Sequence, residues 1–85
     1  VQIGPVTVTV EESRGSERIT ILGLPSQSEI GSPFLIDNPH RLVVDVKGYN
    51  AGPNVQREIR GFLIERLRTG AQPEKTRFVF DLKRK

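Results

Sequence analysis

Arg41-Leu-Val-Val-Asp-Val-Lys47 decides the fold of this chain, together with its echo, Arg77-Phe-Val-Phe-Asp-Leu-Lys83. In each stretch apolar side chains recur at every second position, the period of a strand that buries one face. Leu42, Val44 and Val46 share one face of the first stretch, with Val43 and Asp45 on the other. Phe78, Phe80 and Leu82 take the matching inward positions of the second. Such faces must be buried against a second layer.

The flanking sequence supplies that layer. Val6-Thr-Val-Thr-Val10 alternates in the same way and is rich in β-branched residues, so Val6, Val8 and Val10 are expected to point inward. Glu11–Ser16 is polar and contains Gly15, the mark of a hairpin turn, and Glu17–Leu22 follows as its partner with Ile19 and Ile21 on one face. Residues 23–32 read as a loop, Pro33–Ile36 as a short strand and Asp37-Asn-Pro-His40 as a turn. Gly48–Asn54 is a second loop. Val55, Ile59, Phe62 and Leu63 then recur with a period near four, which predicts a short helix near residues 55–62, with Asn54 as its cap and Gly61 against it. Ile64–Thr69 returns to strand, and Gly70–Glu74 reads as the turn into the last strand. The expected fold is all-β: a small β-sandwich of two short sheets, about six or more strands, with at most one short helix.

Composition narrows the function classes. The chain has 85 residues and no cysteine, which excludes a disulfide framework and a thiolate metal site. One histidine, His40, is too few strong ligands for a zinc enzyme, and no metal or cofactor is expected. Its place after Pro39 in a tight turn reads as turn chemistry. The longest apolar runs are three residues, so no membrane insertion is expected. No signal peptide is visible. The chain opens at Val1 and lacks methionine, which suggests one domain, residues 1–85, excised from a longer protein. Net charge is +3, but residues 1–54 carry four basic and six acidic side chains, and residues 55–85 carry nine and four. Such an asymmetry suits an anionic partner or a solvated basic face.

The two decisive strands match without gaps, with Arg, Val, Asp and Lys identical at corresponding places. Asp stands four residues after Arg in both, so the pair shares a strand face. Two readings follow: a binding surface repeated on two sheets, or an Arg/Asp pattern engaged in cross-strand pairing. The two aspartates also raise the possibility of a glycosidase-like acid pair. The flanking cations favour ion pairing, and no nucleophile, phosphate loop or metal cluster accompanies them. No enzyme activity is expected.

At this point a family resemblance emerges. Phe34-Leu-Ile-Asp-Asn-Pro-His-Arg-Leu-Val-Val-Asp-Val-Lys-Gly48 resembles the AMIN domain signature, in which an aromatic or aliphatic pair precedes Asn-Pro-x-Arg, then Val-Val-Asp-aliphatic and Gly. Ile64-Glu-Arg-Leu-Arg-Thr-Gly-Ala-Gln-Pro-Glu-Lys-Thr-Arg-Phe-Val-Phe-Asp-Leu82 resembles the family's second block, with Thr69 where valine is common. Residues 51–57 match no part of the pattern. The resemblance implies a non-catalytic periplasmic module of the bacterial envelope, found in N-acetylmuramoyl-L-alanine amidases and type IV pilus secretins. It implies peptidoglycan binding and localisation of the parent protein, for amidases to the division site. It also implies a β-sandwich. It assigns no ligand-contacting residues.

The candidates for that role come from spacing. Arg66 and Arg68 alternate onto one strand face, Arg77 begins the next strand across the turn, and Arg41 is its counterpart in the other copy. Arginine grips a carboxylate through two parallel hydrogen bonds, and peptidoglycan stem peptides carry carboxylates. Against this stands pairing of the arginines with Glu65, Glu74 or Asp81. A module that docks on divisome or pilus-assembly proteins is the alternative. Nucleic acid is not an expected partner, since binding would call for exposed aromatics and Phe78 and Phe80 fall on the core face.

Overall fold

The computed structural model describes residues 1–50, 52–61 and 63–83. Ala51, Phe62, Arg84 and Lys85 lie outside the described residues, and with them the expected apolar role of Phe62 and the last two cations of the basic tail. Among the described residues nine strands appear in chain order: β1 (Gln2–Ile3), β2 (Val6–Ser13), β3 (Ser16–Leu22), β4 (Glu29–Ile30), β5 (Phe34–Ile36), β6 (Arg41–Lys47), β7 (Val55–Glu58), β8 (Ile64–Gln72) and β9 (Lys75–Leu82). They form two antiparallel sheets. The smaller runs β1-β2-β3. The larger runs β4-β6-β9-β8-β7, with β5 beside β4 on the same flank of β6. The expected two-sheet sandwich is the architecture found.

The alternating residues meet between the sheets. Val6 and Val8 of the small sheet and Val44, Val46, Leu67, Phe78 and Phe80 of the large one are buried in one cluster. Val10, Ile19, Ile21, Leu42 and Leu82 are partly buried against it. Phe78 and Phe80 are fully buried, and truncating a side chain so placed costs about 3–5 kcal/mol. Thr76 is buried as well, and its hydroxyl donates to the Tyr49 carbonyl at 2.6 Å. At Gly23 the backbone has φ 92°, and an added Cβ would sit 2.5 Å from the Pro5 carbonyl oxygen, so only glycine fits.

Local expectations give way at four places: residues 23–32, expected as loop, contain strand β4, the turn expected over Glu11–Ser16 contracts to Arg14-Gly15, and two larger revisions concern β7 and β8. Residues 55–58 form strand β7, not the start of a helix. The competing force is pairing: β7 lines the open edge of β8, with Val55 opposite Thr69 and Glu58 opposite Arg66. Beyond it the chain stays tied to β8, as Ile59 N donates to Glu65 O and Gly61 N to Ile64 O. A period of four over so short a stretch also suits a strand that leaves its sheet and turns one apolar residue back toward the core. The second revision concerns Gly70. Strand β8 runs through it to Gln72, and the turn contracts to Pro73-Glu74. Glu74 takes φ 69° after Pro73, the order a type II turn calls for.

One bond network spans the sheets. The Glu17 carboxylate on β3 accepts hydrogen bonds from Leu63 N at 2.8 Å and Ile64 N at 3.0 Å, where the chain enters β8. Gly61 makes room for it, because an added Cβ would lie 2.6 Å from Glu17 Oε2.

Candidate functional site on the outer face of the large sheet

Pairing of β6 with β9 explains the sequence echo. The register sets Arg41 opposite Asp81, Val43 opposite Val79 and Asp45 opposite Arg77. The two copies are neighbours on one sheet, not equivalents on two, and a local two-fold relation passes between Val43 and Val79. Cross-strand pairing is therefore the reading the structure takes, and the surface repeated on two sheets is not found.

The side chains break that symmetry. At one end Arg77 grips Asp45 with two bonds, Nε to Oδ1 at 2.8 Å and Nη2 to Oδ2 at 3.1 Å. Lys75 Nζ adds a third to Oδ2 at 2.9 Å. The guanidinium of Arg77 also lies over the Phe34 ring, 5.7 Å from its centroid, a cation–π contact. At the other end Asp81 does not take its cross-strand partner Arg41. It accepts from Arg66 Nε at 2.8 Å and from Arg68 Nε and Nη2 at 2.9 and 2.7 Å. Arg41 Nε donates instead to the Pro39 carbonyl at 3.2 Å, and its guanidinium makes no ion pair among the described residues.

These contacts set the electrostatics. The hydrogen bond from Arg77, with help from Lys75, holds the pKa of the Asp45 carboxyl down at about 2, although burial pushes it upward. Burial pushes Asp81 upward, but the hydrogen bonds from Arg68 and Arg66 outweigh it and keep this carboxyl below its ordinary value. The Asp81 side chain is only 8% exposed, so its charge depends on those two arginines. Val43 belongs to this outer face yet is 1% exposed, because the longer side chains around it exclude water.

The face therefore gathers Arg66, Arg68 and Arg77 on adjacent strands, as their spacing implied, with Arg41 two strands from β8 across β9. Three of the four are fixed by aspartates, and Arg41 is not. A groove of about 420 Å³ opens beside them, bounded by Gln56, Arg68, Gly70, Gln72, Arg77 and Val79 among others. Reasoning from sequence missed its amide and glycine members, since Gly70 reads as a turn residue and 55–62 as a helix. A glycine inside a strand pattern was the available signal. Among the described residues no three His, Asp or Glu side chains converge as a metal site. His40 Nδ1 lies 2.9 Å from Asp37 Oδ1 within its exposed turn.

A family model for the AMIN domain matches residues 7–85. No curated protein and no solved structure matches the chain.

Proposed function

Because the chain belongs to the AMIN domain family, a family of periplasmic, non-catalytic modules associated with peptidoglycan binding, we propose that it binds peptidoglycan and localises a longer envelope protein, a cell-wall amidase or a pilus secretin. The observation that carries the reading is the outer face of the large sheet. Arg66, Arg68 and Arg77 are pinned by Asp81 and Asp45, so their remaining N–H groups stand as oriented donors. Arg41 retains an unneutralised guanidinium, the group on this face best suited to a stem-peptide carboxylate. All four act as ligand-binding residues in this reading, in two different roles.

Co-sedimentation with intact sacculi tests it. The purified domain pellets at low salt and less at moderate salt, and Arg41→Ala weakens pelleting several-fold with an unchanged melting temperature. Failure of the wild type to pellet removes direct wall binding.

A second reading has its own observation. Ile30 and Leu35, 57% and 69% exposed, stand with Phe34 on the β4–β5 flank of the large sheet. Exposed apolar side chains along an edge suit docking on a divisome or pilus-assembly protein. Capture of such a protein by a domain that does not pellet with sacculi favours this reading.

A further inference from the structure

The groove on the outer face is made by a missing side chain. Gly70 sits in the interior of the nine-residue strand β8, where glycine weakens a strand and gives nothing to pack. No backbone demand explains it: its φ is not in the left-handed region, and an added Cβ would meet nothing within 4 Å. The position opposite is Arg77, whose side chain is drawn to Asp45 and Phe34. What glycine does here is leave space on the surface.

The lining of that space specifies the chemistry of its occupant. Gly70 and Val79 form an apolar strip. The side-chain amides of Gln56 and Gln72 have no hydrogen-bond partner among the described residues. Arg68 and Arg77 each use Nε and Nη2 on an aspartate, and Nη1 makes no hydrogen bond among the described residues. The Nε/Nη2 fork of each is already taken by an aspartate, which leaves single N–H donors and not the two-bond grip that a carboxylate takes. Neutral amides, oriented N–H donors and an apolar strip instead suit an uncharged ring with hydroxyl and acetamido groups. The volume falls within the roughly 300–1,000 Å³ of small-ligand sites.

We infer that the Gly70 groove takes the glycan strand of the wall, an uncharged N-acetylated polysaccharide, and not the stem peptide. This rests on the wall-binding reading above and adds to it which half of the polymer is held and where. Carboxylate recognition belongs to Arg41, apart from the groove.

The test uses glycan strands freed of stem peptides by an amidase, with the lactyl carboxylates that this cleavage exposes capped as methylamides so that the strands stay uncharged, alongside intact sacculi. The wild-type domain binds both, and binding to the free strands changes less than two-fold between low and moderate salt. Gly70→Leu fills the groove and reduces binding to free strands at least ten-fold. Amide chemical-shift changes on titrating free strands into the wild type, centred on residues 56, 68–72 and 77–79, give the same localisation without a variant and serve if Gly70→Leu does not fold. Binding to sacculi without binding to free strands overturns the glycan assignment and leaves the wall-binding reading standing. Binding to neither overturns both. Binding of free strands by a folded Gly70→Leu variant, or shift changes centred elsewhere, overturns the groove as the site.

Discussion

Glu17 shows how one polar side chain joins two layers. It projects from β3 in the small sheet and receives two backbone N–H groups from the large one, at Leu63 and at the buried Ile64. Hydrogen bonds to a charged acceptor contribute about 1.5–3 kcal/mol, and an unmet buried donor costs a similar amount. Glu17→Ala is therefore expected to lower unfolding free energy by about 2–3 kcal/mol in urea titration, with Glu17→Gln losing less. Asp45 gives the second residue-scale prediction. Its carboxyl is held at about 2 in the folded chain against 3.8 for the free group. Above pH 4 it is ionised in both states, and the fold gains from its ion pairs. As pH falls the unfolded chain takes up the proton first, so stability declines from about pH 4 and the contribution is gone below about pH 2. Asp81, also lowered, adds to the decline in the same direction. Thermal melts from pH 5 to pH 2 should show a shallower loss in Asp45→Asn than in the wild type, from a lower starting point.

Turns are where the elements depart most from ideal chemistry. Ser13 pairs with Ser16 across a two-residue loop in which Arg14 has φ 52° and Gly15 has φ 81°. Both angles suit a type I′ turn, whose favoured residues are Asn-Gly, and an arginine in the left-handed region costs roughly 1–2 kcal/mol. Arg14→Asn should raise stability by about 0.5–1 kcal/mol in a urea melt, with no change in the rest of the fold. The same contrast explains what the sequence discloses. The long strands β2, β3, β6, β8 and β9 are legible because one face of each is buried and the other wet, so period two is written into their composition. Strand β7 is not, because it is held by edge pairing with β8, a long-range contact that leaves no periodic mark. Gly70 misleads for a related reason: a glycine punctuates most sequences at turns, and here it serves an open surface inside a strand. The arginine cluster was legible from alternation alone. Its aspartate partners were legible only as types, since choosing Arg68 over Arg41 for Asp81 depends on side-chain paths across three strands.

At the scale of the whole molecule, the paired copies at the centre of the large sheet have a consequence for assembly. Laid antiparallel against its copy, Arg-x-Val-x-Asp is self-complementary, because each Arg meets an Asp on either side of the central Val. Sliding β6 by two residues in one sense sets Lys47 against Arg77, and in the other sets Arg41 against Val79, so the register is guarded. Identity is not guarded in the same way. A β6 strand meets the pairing rule against β6 of another chain as well as against its own β9, with Arg41 facing Asp45 around a shared Val43. Self-recognition is left to the flanks, where β4 and β5 close one side of the pair and β8 the other. Until those flanks are laid down, two unfolded chains hold interchangeable halves, and the middle of the sheet is the seam along which they would exchange.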